Sequence, residues 1–479
     1  MGEYEIVIGM ELHTQLKTRT KLFCGCSTEF GAEPNSQTCP VCLGLPGVLP
    51  VMNKKAFELA LKAAVALNCR IDLESTWDRK NYYYPDQPKN YQISQDYHCL
   101  GVDGFVEIEV DGEIKEIGID NIHLEEDAGK LVHPDGSNVN FSKVDLNRTG
   151  QPLGEIVTKP DMRSIEEAKA YMETMRLFLQ HLDISDCKMQ EGSLRFEPSV
   201  SLRPFGQEEY GNRVEIKNVN SVRFVVLALE YEIARQTQIL DNGGAVSQET
   251  VLYDEFRNET RPMRRKEESH DYRYFPEPDL VPATLTEDQI AEVRSSIPEL
   301  PLARKLRFTK EYELPTYDAG VLVEEPGIAE YFEECAKLHS DAKAVSNLIM
   351  NDVMKELNSR ELSIGDFPVS VEAAADLLQR VKAGEVSKNK GREVFAEMVE
   401  SGKSAGAIIE EKGMRQIGDT DEVRQMVEDA IAQNPKAAEQ YKSGKGKAKG
   451  ALVGGVMRAS KGKADPQLVN KLIDEIVLG

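Results

Sequence analysis

The chain has 479 residues and a formal net charge of −23, with 58 Lys and Arg against 81 Asp and Glu. A chain of this length divides into roughly two to four domains with real cores. Its acidic balance argues against general nucleic-acid affinity but leaves room for a local basic surface. No stretch approaches a membrane span, and residues 1–20 lack the basic and apolar regions of a signal peptide, so a cytoplasmic location is expected.

In chain order, YEIVIGMELHTQL alternates and reads as a strand. KKAFELALKAAVALN (54–68) reads as a helix, GFVEIEV and IGIDNIHL as further strands, and EEDAGK as a turn. Ser164 with Glu167 has capping-box spacing and opens a helix through about residue 182. NSVRFVVLALEYEIARQTQIL is another helix, ended by Asp-Asn-Gly-Gly. Regular strand–helix alternation is missing, so an α+β class with an antiparallel sheet is expected. After Pro282 the texture becomes helical, with Thr286 and Gln289 capping the first helix and short turns up to about 405. MRQIGDTDEV, near 414–423, reads as a hinge before a small helical tail. The tail holds a Gly/Lys loop at 440–464, with Lys442, Lys445, Lys447, Lys449, Arg458, Lys461 and Lys463 and no acidic residue. It is either a polyanion-binding surface or a solvated loop.

Cys24, Cys26, Cys39 and Cys42 form C-x-C-x12-C-x2-C. Two close thiol pairs suit a tetrahedral soft-ligand site, usually zinc, and four thiolates close the shell, so a bound ion would be structural. The scattered Cys69, Cys99, Cys187 and Cys335 read as reduced thiols. On a strand, Glu11 and His13 share a face, as do His123 and Glu125. Two such pairs either converge on a hard cation or are ordinary surface polarity. Polar loops recur around Arg79-Lys80, Lys143, Arg148, Arg195, Arg203, Glu215, Lys217, Asn218 and MRRKEESHDYRYFPEPD. They suit phosphate or RNA contacts, or a hydrogen-bonded polar interior, and Tyr82, Tyr83, Tyr84 and Tyr91 suit stacking on a base or sugar. No P-loop, G-x-G-x-x-G or G-x-S-x-G is present, and no amidase serine stretch. An amide nitrogen used by this chain must therefore be released by another.

The stretches GMELHTQLKTRTKLFCGC, CPVCLGLPGVLPVMN, RKNYYYPDQPKNYQISQ, IHLEEDAGKLVH, VDLNRTGQPLGEIV, VEIKNVNSVRF, MRRKEESHDYRYFPEPDL and the tail GKGKAKGALVGGVMRASKGKADPQLVNKLI run nearly end to end. In them the chain resembles the B subunit family of the aspartyl/glutamyl-tRNA(Asn/Gln) amidotransferases. The resemblance implies a cradle-like catalytic domain (1–292), a helical domain (293–406) and a tRNA-binding tail domain (407–479). It implies a glutamine-dependent aminoacyl-tRNA amidotransferase, a ligase of protein biosynthesis acting as a heterotrimer. An amidase A subunit releases ammonia, a small C subunit braces the pair, and the B subunit uses ATP and Mg²⁺ to phosphorylate the side-chain carboxylate of Glu-tRNA(Gln) or Asp-tRNA(Asn) before amidation. By that analogy Glu11, His13 and Glu125 hold Mg²⁺, with His123, Glu126 and Asp127 as secondary candidates. Lys80, Arg148, Arg195 and Lys217 contact phosphate or substrate, and the four cysteines hold Zn²⁺. The chain departs from the family pattern at Phe196, Glu197, Pro198 and Ser199, where a Cys, an Asp and a small residue usually precede Asn-Val, and at YQISQDYHCL. The first departure falls in the expected phosphate or nucleotide loop. Two other readings, a stand-alone ATP-dependent tRNA-modifying enzyme and a non-catalytic RNA-binding scaffold, leave the absent nucleotide signature and the His/Glu pairs, respectively, without explanation.

Overall fold

Alternation in the first strand sets the architecture. In β1 (Tyr4–Gln15) Ile8, Met10 and Leu12 are buried in an apolar core, while Glu11, His13 and Gln15 take the opposite face, as a two-residue period requires. The computed structural model describes residues 4–133, 141–265, 271–416, 420–460 and 462–479. It divides into two compact units, Met1–Ala303 and Arg304–Gly479.

In the first unit β1 is followed by α1 (Lys54–Ala66), β2 (Arg70–Ile71), β3 (Glu74–Ser75), β4 (Asp78–Asn81), β5 (Tyr91–Ser94), β6 (Gly101–Val110) and β7 (Glu113–Glu126). Then come β8 (Lys130–Val132), β9 (Lys143–Asp145), β10 (Pro152–Thr158), α2 (Ile165–His181), β11 (Leu194–Pro204), β12 (Val214–Lys217) and α3 (Val222–Asp241). The unit closes with β13 (Glu249–Asp254), β14 (Glu259–Arg265), β15 (Phe275–Pro276), β16 (Ala283–Thr284) and α4 (Glu287–Ser296). Nine strands form the main sheet in the order β14-β13-β12-β11-β1-β10-β7-β6-β2.

The expected antiparallel sheet needs correcting at one pair. β12 and β13 run parallel, and every other neighbouring pair in the main sheet is antiparallel. The 20-residue α3 lies between them in sequence and supplies the crossover that a parallel connection needs. β7 also runs through Glu126, so the turn expected at EEDAGK begins later.

Helices α1, α2 and α3 pack with the apolar face of the sheet into one core that includes Ile8, Leu12, Leu61, Met175, Leu229 and Val251. Burying each such side chain contributes about 1.5–3 kcal/mol. Asn53 caps α1, its side chain accepting from Lys55 N–H at 2.9 Å and Ala56 N–H at 3.3 Å. Ser164 caps α2 by accepting from Glu167 N–H, but the Glu167 carboxylate takes the Arg163 N–H at 2.6 Å instead of closing the box. The full reciprocal box forms at Thr286 and Gln289, opening α4.

The remaining helices are α5 (Pro301–Glu311), α6 (Thr316–Leu322), α7 (Pro326–Leu338), α8 (Ala342–Leu348), α9 (Met354–Arg360), α10 (Val371–Lys382), α11 (Lys388–Ser401), α12 (Ala405–Glu411), α13 (Thr420–Gln433), α14 (Pro435–Lys442), α15 (Lys449–Ala459) and α16 (Pro466–Leu478). One apolar cluster holds Phe308, Phe332, Phe395, Ile408 and Ile409, and a separate one holds Val427, Leu452, Val456, Leu472 and Ile473. The expected Gly/Lys loop is largely helical, since α14 and α15 run through it. A Cβ at Gly455 would lie 3.3 Å from Ala430 Cβ, so glycine there lets α15 approach α13 closely. Lys461, and residues 417–419 of the expected hinge, lie outside the described residues. So do residues 266–270 of the polar loop MRRKEESHDYRYFPEPD.

Candidate active site and cysteine metal centre

Strand register builds the site. β10 lies between β1 and β7, and Glu155 pairs with His13 on one side and His123 on the other. His13 in turn faces Arg195 on β11, and Glu11 faces Glu197. The row His123, Glu155, His13, Arg195 therefore crosses four adjacent strands on the face away from the helices.

The side chains converge. His13 Nε2 lies 3.3 Å from Glu11 Oε1, 3.4 Å from Glu155 Oε2 and 3.7 Å from Glu125 Oε1. His123 Nε2 is 3.2 Å from Glu155 Oε2, and its Nδ1 is 2.8 Å from Asn121 Oδ1. An amide carbonyl at Nδ1 fixes that nitrogen as the N–H donor and aims Nε2 at the cluster. Ligand atoms of Glu11, His13 and Glu155 lie within 4.8 Å of one another, as do those of His123, Glu125 and Glu155. Two buried atoms here, His13 Nδ1 and Glu125 Oε2, have no hydrogen-bond partner. Buried polar atoms are rarely left so, and a carboxylate-dominated donor set with such vacant valences fits a hard divalent cation.

The protonation pattern is uneven. Burial and the Glu155 charge push the Glu11 carboxyl up to about 7. Burial works against a charged His13, but the hydrogen bond and charge of Glu155, with Glu125 beyond, raise it to about 9. His123 is raised against its burial by Glu155, and Glu125 is raised by burial and by Glu155. Glu155, despite its own burial, is held well below the usual carboxylate range by His123 and His13. Glu155, held ionised, thus lies between two imidazoles whose proton affinity it raises.

Cationic groups flank it. Lys80 on β4 stays charged against strong burial because of Glu125, and its Nζ is 5.1 Å from the Tyr272 ring centre. Arg195 pairs with Asp127 at 3.2 Å, and its Nε is buried without a partner. Lys217 pairs with Glu197 at 2.8 Å. Arg148 turns to the adjoining loop, donating to the carbonyls of Ala128 at 2.9 Å and Gly129 at 2.6 Å, with Asp127 at 3.6 Å. Glu126 stands apart from the cluster: it pairs with Lys89 and accepts from Ile93 N–H at 2.9 Å. Tyr91 lies under the Arg79 guanidinium at 4.3 Å, and Arg79 grips Glu277 at 2.7 and 2.8 Å, whereas Tyr83 and Tyr84 are exposed. Arg203 is held by Glu5 at 2.5 Å.

Sequence reasoning missed Glu155. Its signal is a single carboxylate on the strand face it shares with Leu153 and Val157 in PLGEIVT, and only strand pairing reveals that it lies between two histidines. A cavity of about 250 Å³ adjoins Glu11 and Glu197, lined among others by Gly9, Ser199, Ser201, Tyr210 and Arg213. Of the departing residues, Glu197 and Ser199 line the cavity, whereas Phe196 is buried in the core. β12 pairs only with Ser199 and Val200 of β11, so the missing N–H of Pro198 costs no bond to β12.

The four cysteines come together as expected. Their sulfurs lie within 4.8 Å of one another, and Cys39 Sγ and Cys42 Sγ are 3.9 Å apart. A tetrahedron with Zn–S of about 2.3 Å has edges of about 3.8 Å. Cys42 also accepts from Cys39 N–H at 3.2 Å. The Cys24 thiol and this N–H bring Cys42 down to about 4 against its burial, with Lys21 adding to the effect, while burial lifts Cys26 to about 11. These residues fit zinc. Among the described residues all eight cysteines are free thiols, and no helix is long and apolar enough to cross a membrane.

The profile of the GatB/GatE catalytic domain matches residues 6–291, and that of the GatB domain matches residues 330–477. Over 474 residues the chain is 53% identical to the aspartyl/glutamyl-tRNA(Asn/Gln) amidotransferase B subunit of Carboxydothermus hydrogenoformans, covering 99% of this chain and 98% of that one. It is 54% identical to the protein of the same name from Moorella thermoacetica, over 99% of both chains, and 50% identical to that of Brevibacillus brevis, over 100% and 99%.

Proposed function

Because the chain belongs to the GatB family of tRNA-dependent amidotransferase subunits, we propose that its open sheet face is where an aminoacyl-tRNA carboxylate is activated and amidated. The chain is the B subunit of an aspartyl/glutamyl-tRNA amidotransferase, a ligase that acts within a complex. Its partners are an amidase A subunit and a small C subunit, its substrate is tRNA carrying Glu or Asp, and its place is the cytoplasm.

The observation that carries this reading is the row His123, Glu155, His13 and Arg195, with Glu11 and Glu125 beside it. A carboxylate is a poor electrophile, so it must first become an acyl phosphate. One carboxylate oxygen bonds the γ-phosphorus of ATP as the bond to ADP breaks. Ammonia nitrogen then attacks the acyl carbon, the bond to phosphate breaks, and the displaced proton leaves on the phosphate. Glu11, His13, His123, Glu125 and Glu155 would hold Mg²⁺, which when bound neutralises charge on the phosphoryl oxygens. Lys80, Arg195 and Lys217 supply fixed positive charge around the transferring group. Arg148 holds the Asp127–Gly129 loop that orients Arg195. The cavity beside Glu11 and Glu197 would take the nucleotide. The cysteine site takes a structural Zn²⁺, since four thiolates leave no open position.

The test is amide formation on Glu-tRNA(Gln) and Asp-tRNA(Asn) by the reconstituted three-subunit complex, dependent on ATP and glutamine. An inactive complete complex would sink the reading. So would a Glu125→Gln complex that still amidates at the unaltered rate.

A further inference from the structure

The cysteine loop contains a buried positive charge that four thiols alone do not explain. Lys21 is 0% exposed, which is rare for a lysine unless its charge is compensated. Its ammonium donates to the carbonyl oxygens of Gln37 at 2.7 Å and Leu146 at 3.4 Å, and to Cys42 Sγ at 3.7 Å. Three N–H donors thus meet three acceptors, and of these only the sulfur can carry charge. Among the described residues no carboxylate lies at ion-pair distance from Lys21.

The surroundings make the contact specific. The Lys21 backbone N–H bonds Cys26 O at 3.0 Å, and Leu22 N–H bonds Gly150 O at 2.8 Å. The Gly150 turn, whose φ of +82° favours glycine, packs against both the lysine stem and the cysteine: a Cβ there would lie 3.6 Å from Lys21 Cδ and from Cys42 Cβ. Lys21 therefore joins three segments: the first cysteine pair through its backbone N–H, and the second cysteine pair and the Leu146–Gly150 loop that carries Arg148 through its ammonium.

We propose that Lys21 is the counter-cation of the four-thiolate site: it offsets one of the two surplus negative charges that four thiolates leave around a divalent ion, and it ties the metal-holding loop to the Leu146–Gly150 loop. This rests on the zinc reading above. Two backbone carbonyls satisfy the ammonium's geometry but not its charge, and a lysine kept only to fill space would be replaced by methionine without loss. Low-dielectric surroundings strengthen the attraction between ammonium and thiolate. Hydrogen bonding to a ligating sulfur is the kind of outer interaction that tunes metal retention.

The experiment measures zinc binding by the full-length chain in competition with a chromophoric chelator. If the unaltered chain takes up no zinc, the zinc reading fails and this inference with it. If it binds zinc, Lys21→Met is expected to raise the zinc dissociation constant roughly 10- to 100-fold, while Lys21→Arg keeps most of the affinity. Equal zinc affinity in Lys21→Met and the unaltered chain overturns the proposal while leaving the zinc reading intact. Should Lys21→Met fail to fold, the comparison moves to a Cys42→Ala background. There the ammonium has lost its thiolate, so adding Lys21→Met is expected to raise the urea midpoint. An unchanged or lowered midpoint overturns the proposal.

Discussion

Glu155 sits opposite His13 in the sheet register, and its Oε2 lies 3.4 Å from the imidazole Nε2. The same oxygen is 3.2 Å from His123 Nε2. Glu155→Gln keeps the shape but removes the one carboxylate held ionised between two imidazoles. Amide formation by the assembled complex is expected to fall roughly 100-fold or more, with glutamine hydrolysis by the partner unchanged. Near-normal amidation by this variant would exclude a part for Glu155 in the chemistry.

Cation binding should release protons. A cation needs a neutral imidazole and an ionised carboxylate, yet His13 is raised to about 9 and Glu11 to about 7. Below pH 7 both hold protons and compete with the ion. Affinity for Mg²⁺ is therefore expected to climb from pH 6 to pH 9 and level off above, by close to tenfold per pH unit for each proton displaced. Calorimetric titration in two buffers of different protonation enthalpy measures the release, and identical heats in both would contradict it.

A different charge cluster secures the helix-covered side. Arg235 on α3 bonds Glu232 at 2.7 and 2.9 Å and Glu249 at 2.9 Å. The Glu232 side chain is fully buried and also accepts from Gln236 and Thr260. Arg235→Met leaves two buried carboxylates without their cation, so a loss of about 3 kcal/mol is expected. Urea unfolding checks it; a midpoint within error of the unaltered chain would show that Glu232 is compensated elsewhere.

The tail prediction concerns salt as much as affinity. Ile408 and Ile409 fill one apolar cluster, while Val427, Leu452 and Ile473 belong to another. A chain ending at Gln416 keeps the first and removes the second, together with Lys442, Lys445, Lys447 and Arg458, all exposed. The truncated complex is expected to bind tRNA more weakly and with a shallower dependence of log affinity on log salt, by a slope of about 0.7–0.9 for each phosphate no longer neutralised. Filter binding across a salt series measures both. Unchanged affinity and slope would remove the tail from tRNA recognition.

What was legible in the sequence follows physical range. The alternation of β1, the apolar stripe of α1 and the paired cysteine spacings are local, and each forms where expected. Glu11 with His13, and His123 with Glu125, were readable because two-residue spacing fixes a shared face. Glu155 was not, because a lone carboxylate in PLGEIVT has meaning only through its neighbours on β1 and β7. The parallel pairing of β12 with β13 is likewise a matter of partner choice. Ser164 and Thr286 have the same capping spacing, but Glu167 is drawn off by Arg163 N–H and Lys115 while Gln289 is not. Arg148, expected by family analogy to contact phosphate or substrate, also donates to Ala128 and Gly129 of the adjoining loop, a local partnership its sequence does not announce.

The position of β1 bears on biosynthesis. It precedes every other described strand, yet its two neighbours are β10 and β11, so about 140 residues must follow it before either edge is covered. At roughly 5–20 residues per second, that is a wait on the order of ten seconds with both backbone edges open. A nascent chain thus carries a long, pairing-competent strand unprotected until about half of the first unit has been made. Halting synthesis before β11 should yield a product that aggregates or is held by chaperones, and never a smaller working half.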